Sequence, residues 1–253
     1  DDGDVFADCV ILAEGANTRL ARGAGRVQVN RIPYVVELAQ EIMKKAGNLV
    51  LVGSREPVAF FAYPDKPSLL MDPEAKSKTL AGSHEDMEAA LEALAAELDC
   101  LDVAPAGIAA AKRSSLPTGE ITLPAIANAL SALMPEDAIV VDESITSGRE
   151  FFPSTAGAPP HDWMNNRGGS IGYGMPVSVG AAVACPDRKV IALIGDGSAM
   201  YTVQSLWTMA REGLDITVLI FSNGSYNILR GELTNVGVQN PGPRAVDMLS
   251  IDR

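Results

Sequence analysis

Residues 190–225 read VIALIGDGSAMYTVQSLWTMAREGLDITVLIFSNGS, and this stretch decides the fold. Val190–Ile194 is a continuous apolar run, rich in branched residues, of the kind that forms a strand buried on both faces. It ends in Gly195-Asp196-Gly197-Ser198. A helix should follow, with Val203, Leu206, Trp207 and Ala210 on one face and a stop at Gly213. Ile216–Phe221 is a second apolar run and ends in Ser222-Asn223-Gly224-Ser225. Strand, helix and strand in this order predict a parallel crossover unit. Asn223 follows Asp196 by 27 positions, which suits such a crossover, so the two side chains stand at the carboxyl ends of adjacent strands. Ligands of open parallel sheets bind there.

The residue types at those ends suit a hard cation and an anion. A carboxylate, an amide oxygen and a nearby carbonyl match the oxygen preference of Mg²⁺, which completes its shell with phosphate oxygens and water. Gly195 and Gly197 let the backbone approach a bulky anion. Ser198 and the N–H groups opening the helix can donate to it. Gly224 permits a tight turn that aims the Ser225 carbonyl at the same point.

The same pattern extends upstream. Thr122 is placed to cap a helix that carries Pro124 in its first turn and runs to about Met134. Ala138–Val141 is a buried strand ending in Asp142-Glu143-Ser144, Trp163–Asn165 a short strand, and Pro176–Ala184 a helix of small residues stopped by Pro186. Residues 102–119 read as a linker. Residues 1–101 form a first α/β segment. Its predicted strands are Cys9–Ala13, Asn48–Gly53 and Ser68–Met71. Its predicted helices are Tyr34–Lys45, with Val35, Leu38, Ala39 and Ile42 on one face, and His84–Leu98, with Met87, Ala90, Leu91, Leu94 and Leu98 on one face. The expected fold class is therefore α/β, with two doubly wound parallel-sheet domains over residues 1–101 and 120–253.

Composition excludes several classes. The chain has 253 residues, and 32 acidic against 20 basic ones give a net charge of −12. No dense Lys/Arg cluster offers a nucleic-acid face. No apolar run approaches the roughly 18 residues of a membrane span. Three scattered cysteines suggest neither a metal site nor a disulfide framework, and a reducing cytoplasm is the natural compartment. His84 and His161 are isolated and read as surface or loop residues. A nicotinamide site is disfavoured because no GxGxxG follows a strand.

Residues 195–233, GDGSAMYTVQSLWTMAREGLDITVLIFSNGSYNILRGEL, resemble the binding signature of thiamine diphosphate (ThDP)-dependent enzymes, in detail those akin to benzoylformate decarboxylase and acetolactate synthase. The resemblance implies that Asp196, Asn223 and the Ser225 carbonyl hold Mg²⁺ together with two diphosphate oxygens and a water. Gly195, Gly197, Ser198 and Tyr226 belong to the implied cofactor site, with Ser198 on the diphosphate. Residues 167–176, RGGSIGYGMP, resemble the family's glycine-rich turn. There Ile171 would wedge the cofactor into a V shape, and the Gly169 carbonyl would accept from its 4′-amino group. Taken alone, Ile171 reads as a plain core residue; within this turn the wedge is the favoured reading. Residues 142–148, DESITSG, resemble the diphosphate-side loop, where Ser144 and Thr146 either contact the cofactor or cap a helix.

The first segment resembles the second half of the family's central domain. Half of that domain leaves open whether FAD, carried by some acetolactate synthases, is bound. The resemblance implies decarboxylation of a small 2-oxo acid through carbanion and enamine chemistry, with protonation or transfer to a second carbonyl. It implies a homodimer or tetramer with the active site at the subunit interface. The activating Glu would come from an N-terminal pyrimidine-binding domain not found in these residues, so this stretch alone is expected to be inactive. Ser222 stands where the family has the first Asn of a pair, and 60–64, FFAYP, lacks the histidine of benzoylformate decarboxylases, so decarboxylase and carboligase both stay open. The competing expectation is a non-catalytic fragment that keeps the fold and holds cofactor or partner without turnover.

Overall fold

The computed structural model describes residues 9–251. The elements run β1 (Leu12–Ala13), β2 (Arg19–Arg22), β3 (Asn30–Arg31), α1 (Val36–Met43), β4 (Asn48–Val52), β5 (Lys76–Ala81), α2 (Met87–Glu97), α3 (Leu123–Leu133) and β6 (Ala138–Glu143). They continue with α4 (Phe151–Ser154), β7 (His161–Met164), α5 (Gly174–Ala184), β8 (Val190–Gly195), α6 (Asp196–Thr202), α7 (Ser205–Arg211), β9 (Ile216–Phe221), α8 (Asn227–Asn235) and α9 (Pro243–Met248). The fold is mixed α/β with mainly parallel sheets, as expected.

The chain divides into two compact units, one of residues up to Gly15 with Val29–Ala106, the other of Ala16–Gln28 with everything from Gly107 onward. The division differs from the sequence expectation at two places. Residues 16–28 lie with the second unit, because β2 pairs antiparallel with β7, Arg22 facing His161. Residues 107–119 also lie there and are not a free linker. The Gly25 N–H donates to the Ala109 carbonyl at 2.9 Å, and the Lys112 N–H to the Gly157 carbonyl at 2.8 Å.

In the first unit, β1 pairs with β3 and β4 with β5, both parallel. Val36, Ala39 and Met43 of α1 pack with Leu70, so the buried face is rotated from the expected one, and Val35 and Leu38 are exposed. The expected strand Ser68–Met71 is absent; Leu70 packs into the core, and only an isolated bridge joins Leu69 to Val58. The strand is instead β5, KSKTLA, whose mostly exposed side chains carry no apolar period. No residue of α2 is buried, including the expected apolar face.

The second unit has one five-stranded sheet in the order β2-β7-β6-β8-β9, parallel except for the edge strand β2. Alternate residues of the central strands serve opposite faces. Ala138 and Val140 of β6 and Ile191 and Leu193 of β8 pack with Ala127, Leu130 and Met134 from α3 and its C-cap, and with Phe151 of α4. Ile139, Val141, Val190, Ala192 and Ile194 pack on the other face with Met175 and Ala182 of α5. Helices thus cover both faces, which is why β6 and β8 read as continuous apolar runs. Fully burying one such side chain contributes about 1.5–3 kcal/mol. α3 starts where expected: the Thr122 side chain accepts from the Ala125 N–H at 3.2 Å.

Charged groups fasten the edge. Asp162 on β7 is bound by Arg19 at 2.8 Å and Arg188 at 2.7 Å. Burial by itself raises the Asp162 carboxyl, but the two guanidinium groups outweigh it and hold the carboxyl below the ordinary carboxylate range. Arg22, nine-tenths buried, stacks 3.6 Å from the Phe152 ring centroid and donates to the Thr155 hydroxyl at 2.7 Å. His161 is not a surface residue: it is 3% exposed, and its Nδ1 lies 2.7 Å from the Pro159 carbonyl. Among the described residues no helix is long and apolar enough to cross a membrane.

Candidate functional site

The order β7-β6-β8-β9 places the switch in strand order between β6 and β8, whose carboxyl ends leave a crevice between diverging connections. Register aligns these ends, Glu143 opposite Ile194 and Gly195 opposite Phe221. Asp142-Glu143, Gly195-Asp196 and Ser222-Asn223 therefore lie side by side.

Asp196 opens α6. One carboxylate oxygen accepts from the Gly197 N–H at 2.9 Å and the other from the Gly224 N–H at 2.8 Å, tying the β8 end to the turn after β9. That turn is itself fixed. The Asn223 side-chain oxygen accepts from the Ser225 N–H at 3.0 Å, and Gly224 has φ +64°, a conformation that favours glycine. The chain after α9 returns to it: the Ile251 N–H donates to the Gly224 carbonyl, and the Tyr226 N–H to that of Leu249. The Tyr226 ring lies against Gly197, where a Cβ would stand 2.7 Å from Tyr226 Cε1. Ser198 is 3% exposed. Asp196, Gly197, Ser198, Asn223, Ser225 and Tyr226 are thus brought to one place, whereas Gly195 is not sterically required, since a Cβ there would make only ordinary contacts.

The turn 168–172 is tied to the same helix α6 and to the end of β6. Gly168, Gly169 and Gly172 all have φ between +74° and +85°. Ile171, at its tip, is 42% exposed and so is not a core residue. The Ser170 carbonyl accepts from the Asn166 amide at 2.9 Å. Gly172 is bound on both sides: its carbonyl accepts from the Thr202 hydroxyl of α6 at 2.7 Å, and its N–H donates to Glu143 at 2.6 Å. The other Glu143 oxygen accepts from the Gly174 N–H at 2.7 Å. Burial pushes the Glu143 carboxyl up, and the N–H groups of residues 172–174 and the Ser198 hydroxyl oppose that rise. From sequence, Glu143 stands at a strand end and on the diphosphate-side loop, with no role of its own. Its signal was an acid closing a strand whose other side chains are mostly apolar, AIVVDE.

On the third loop, the backbone N–H and the hydroxyl of Ser144 both bind the Asp142 carboxylate. Ser144 is 2% exposed, Thr146 partly exposed, and neither caps α4, whose N-cap is Glu150. Ile145 has φ +51°, a rare conformation for a β-branched residue and a source of local strain.

Among the described residues no group of three or more His, Cys, Asp or Glu side chains could hold a metal. The candidate ligands are the Asp196 carboxylate, the Asn223 amide oxygen and the Ser225 backbone carbonyl. Such an all-oxygen set fits a cation that takes its remaining ligands from phosphate and water.

Residues 151–251 match the family model "Thiamine pyrophosphate enzyme, C-terminal TPP binding domain". This part of the chain is similar to the TPP-binding domains of that family. Thiamine pyrophosphate (TPP) is another name for thiamine diphosphate. The chain is 50% identical over 245 residues to the Mycobacterium tuberculosis protein IlvX, which is named after acetolactate synthase large subunits; the match covers 96% of this chain and 47% of that protein. It is 39% identical over 101 residues to the benzoylformate decarboxylase of Pseudomonas aeruginosa, covering 40% of this chain and 19% of that enzyme. Its fold is similar to that of the 4-hydroxybenzoylformate decarboxylase of Rhodococcus jostii RHA1, with TM-score 0.74 and 22% identity over 96% of this chain and 47% of that one. The chain spans about half the length of IlvX and of the Rhodococcus enzyme. Asp196, Asn223, Ser225, Tyr226 and Ile171 all lie within the matched TPP-binding domain, whereas Glu143, Ser144 and Thr146 lie just before it.

Proposed function

We propose that the chain belongs to a ThDP- and Mg²⁺-dependent decarboxylase or carboligase of the acetolactate synthase-like type, acting on a small 2-oxo acid. The carrying observation is the placement of Asp196 and Asn223 at neighbouring strand ends beside the switch in strand order, with Ile171 on a turn tied to the same helix α6. Asp196, Asn223 and the Ser225 carbonyl would hold Mg²⁺, and Ser198 would meet the diphosphate. The Gly169 carbonyl and the Ile171 side chain would meet the ring end. When bound, the cofactor supplies an acidic carbon that adds to the substrate carbonyl and stabilises the electrons left as CO₂ departs; the protein supplies orientation and electrostatics.

Ile171 acts by shape. Its exposure suits a site completed by a further domain; the proposed assembly is a homodimer or tetramer in the cytoplasm. The Ile171→Ala variant of the full-length protein is expected to lose about tenfold or more in kcat while its ThDP affinity changes less than about threefold, the pattern of a group that acts in the transition state. The assay follows consumption of pyruvate and benzoylformate, with affinity from calorimetry. An unchanged kcat would reduce Ile171 to an ordinary surface residue.

A further inference from the structure

We propose that Glu143 is a positioning residue that fixes the turn carrying Ile171 at a set distance from the Asp196 end of the same site. The proposal rests on the reading of that turn as the part that shapes the cofactor.

Glu143 closes β6 and is 1% exposed. A buried carboxylate costs several kcal/mol unless it is paired or hydrogen-bonded. Among the described residues no cationic side chain forms an ion pair with it. The Gly172 N–H donates to Oε1 and the Gly174 N–H to Oε2, and the Tyr173 N–H and the Ser198 hydroxyl also act on the carboxylate. Tyr173 adds a third tie, since its hydroxyl donates to the Asp142 carbonyl at the same strand end. Shape enforces the arrangement. A Cβ on Gly174 would stand 2.8 Å from Glu143 Oε2 and 3.0 Å from Glu143 Cβ, so Glu143 fills space that only glycine leaves.

The second side of the frame is α6. Thr202 holds the Gly172 carbonyl, and Ser198 offers its hydroxyl to Glu143. Asp196 begins that helix. One carboxylate therefore joins the end of β6, the glycine-rich turn and the helix bearing the candidate metal ligand. A plain anchor for α5 would need only the Gly174 amide. The second oxygen on Gly172, the residue next to Ile171, is what a positioning role adds.

Glu143→Gln tests this. Glutamine is nearly isosteric but has one acceptor oxygen and one NH₂ donor, so one of the two amides must face another donor. Losing a hydrogen bond to a charged acceptor should raise local opening about tenfold. In the full-length protein without cofactor, amide exchange across 168–175 is expected to accelerate about tenfold, with β8 and β9 unchanged. With ThDP and Mg²⁺ added, affinity should stay within about threefold while kcat falls about tenfold or more. Thr202→Val removes the opposite tie without touching a buried charge and should give the same pattern, confined to the same peptide. It decides the matter if Glu143→Gln does not fold. Unchanged exchange across 168–175, or equal loss of protection in β8 and β9, overturns the proposal. A wild-type protein that binds no ThDP refutes the cofactor reading and the positioning role built on it. A protein that binds ThDP but whose turn ignores the substitutions refutes only the positioning role.

Discussion

In the full-length protein, replacing Asp196 with alanine lowers the affinity for ThDP in the presence of Mg²⁺ by about a hundredfold, roughly 2.7 kcal/mol. Two losses combine. The candidate metal site loses its only carboxylate, and a hard divalent cation depends on that charge. The Gly197 and Gly224 amides also lose the acceptor that ties the β8 end to the turn bearing Asn223. Asp196→Asn removes the charge but keeps one of the two ties, since an amide has a single acceptor oxygen for the Gly197 and Gly224 N–H groups. Calorimetric titration at fixed Mg²⁺ should therefore place Asn close to Ala if the metal dominates, and between Ala and wild type if only the turn matters. Wild-type affinity in both variants would sink the metal assignment.

The second large effect is on stability against acid. His161 is buried on β7, with Nδ1 on the Pro159 carbonyl. Loss of hydration holds its pKa down at about 4, from 6.5; the Pro159 carbonyl and Asp162 pull it upward, and the nearby Arg22 charge adds to the lowering. The unfolded chain takes up the proton near pH 6.5, whereas the folded chain does so only near pH 4. Stability from this group is thus complete above pH 6.5 and drains away as the pH falls toward 4, by about 3 kcal/mol in all. Asp162, with its lowered pKa, adds a loss only in the carboxylate range below that. Glu143, with its raised pKa, works in the opposite direction. Urea unfolding between pH 7 and pH 4 should show the decline in wild type and a flatter profile in His161→Phe. Parallel profiles for the two proteins would mean that His161 is not the group being protonated.

Among the strands that position the candidate site, β6 and β8 were legible because burial on both faces leaves no choice of residue type, and β9, only partly buried, because its run is equally apolar. β6, β8 and β9 are nearly uninterrupted apolar runs, and the polar residues that end them mark the site. β2 (RLAR) and β5 (KSKTLA) were not legible, since their pairing is made by the backbone while their side chains are largely charged or exposed. The face of α7 was misjudged for another reason. The helix breaks between Thr202 and Ser205, so the period restarts, and Ser205 and Met209 are buried while Val203 and Trp207 stand in solvent. Glu143 escaped because its partners lie 29 and 31 positions away on a turn that local pattern cannot bring to it.

The position of β2 bears on how this protein can be handled. A domain trimmed at the visible boundary, near residue 107 or 120, would lack Arg19–Arg22 and leave β7 with an open row of unpaired amides and carbonyls. Open rows of that kind recruit other chains. Asp162 would lose Arg19, and the Phe152 ring would lose the guanidinium that covers it. Such a fragment is expected to self-associate and precipitate, while one that carries residues 16–28, even supplied as a separate peptide, stays dispersed.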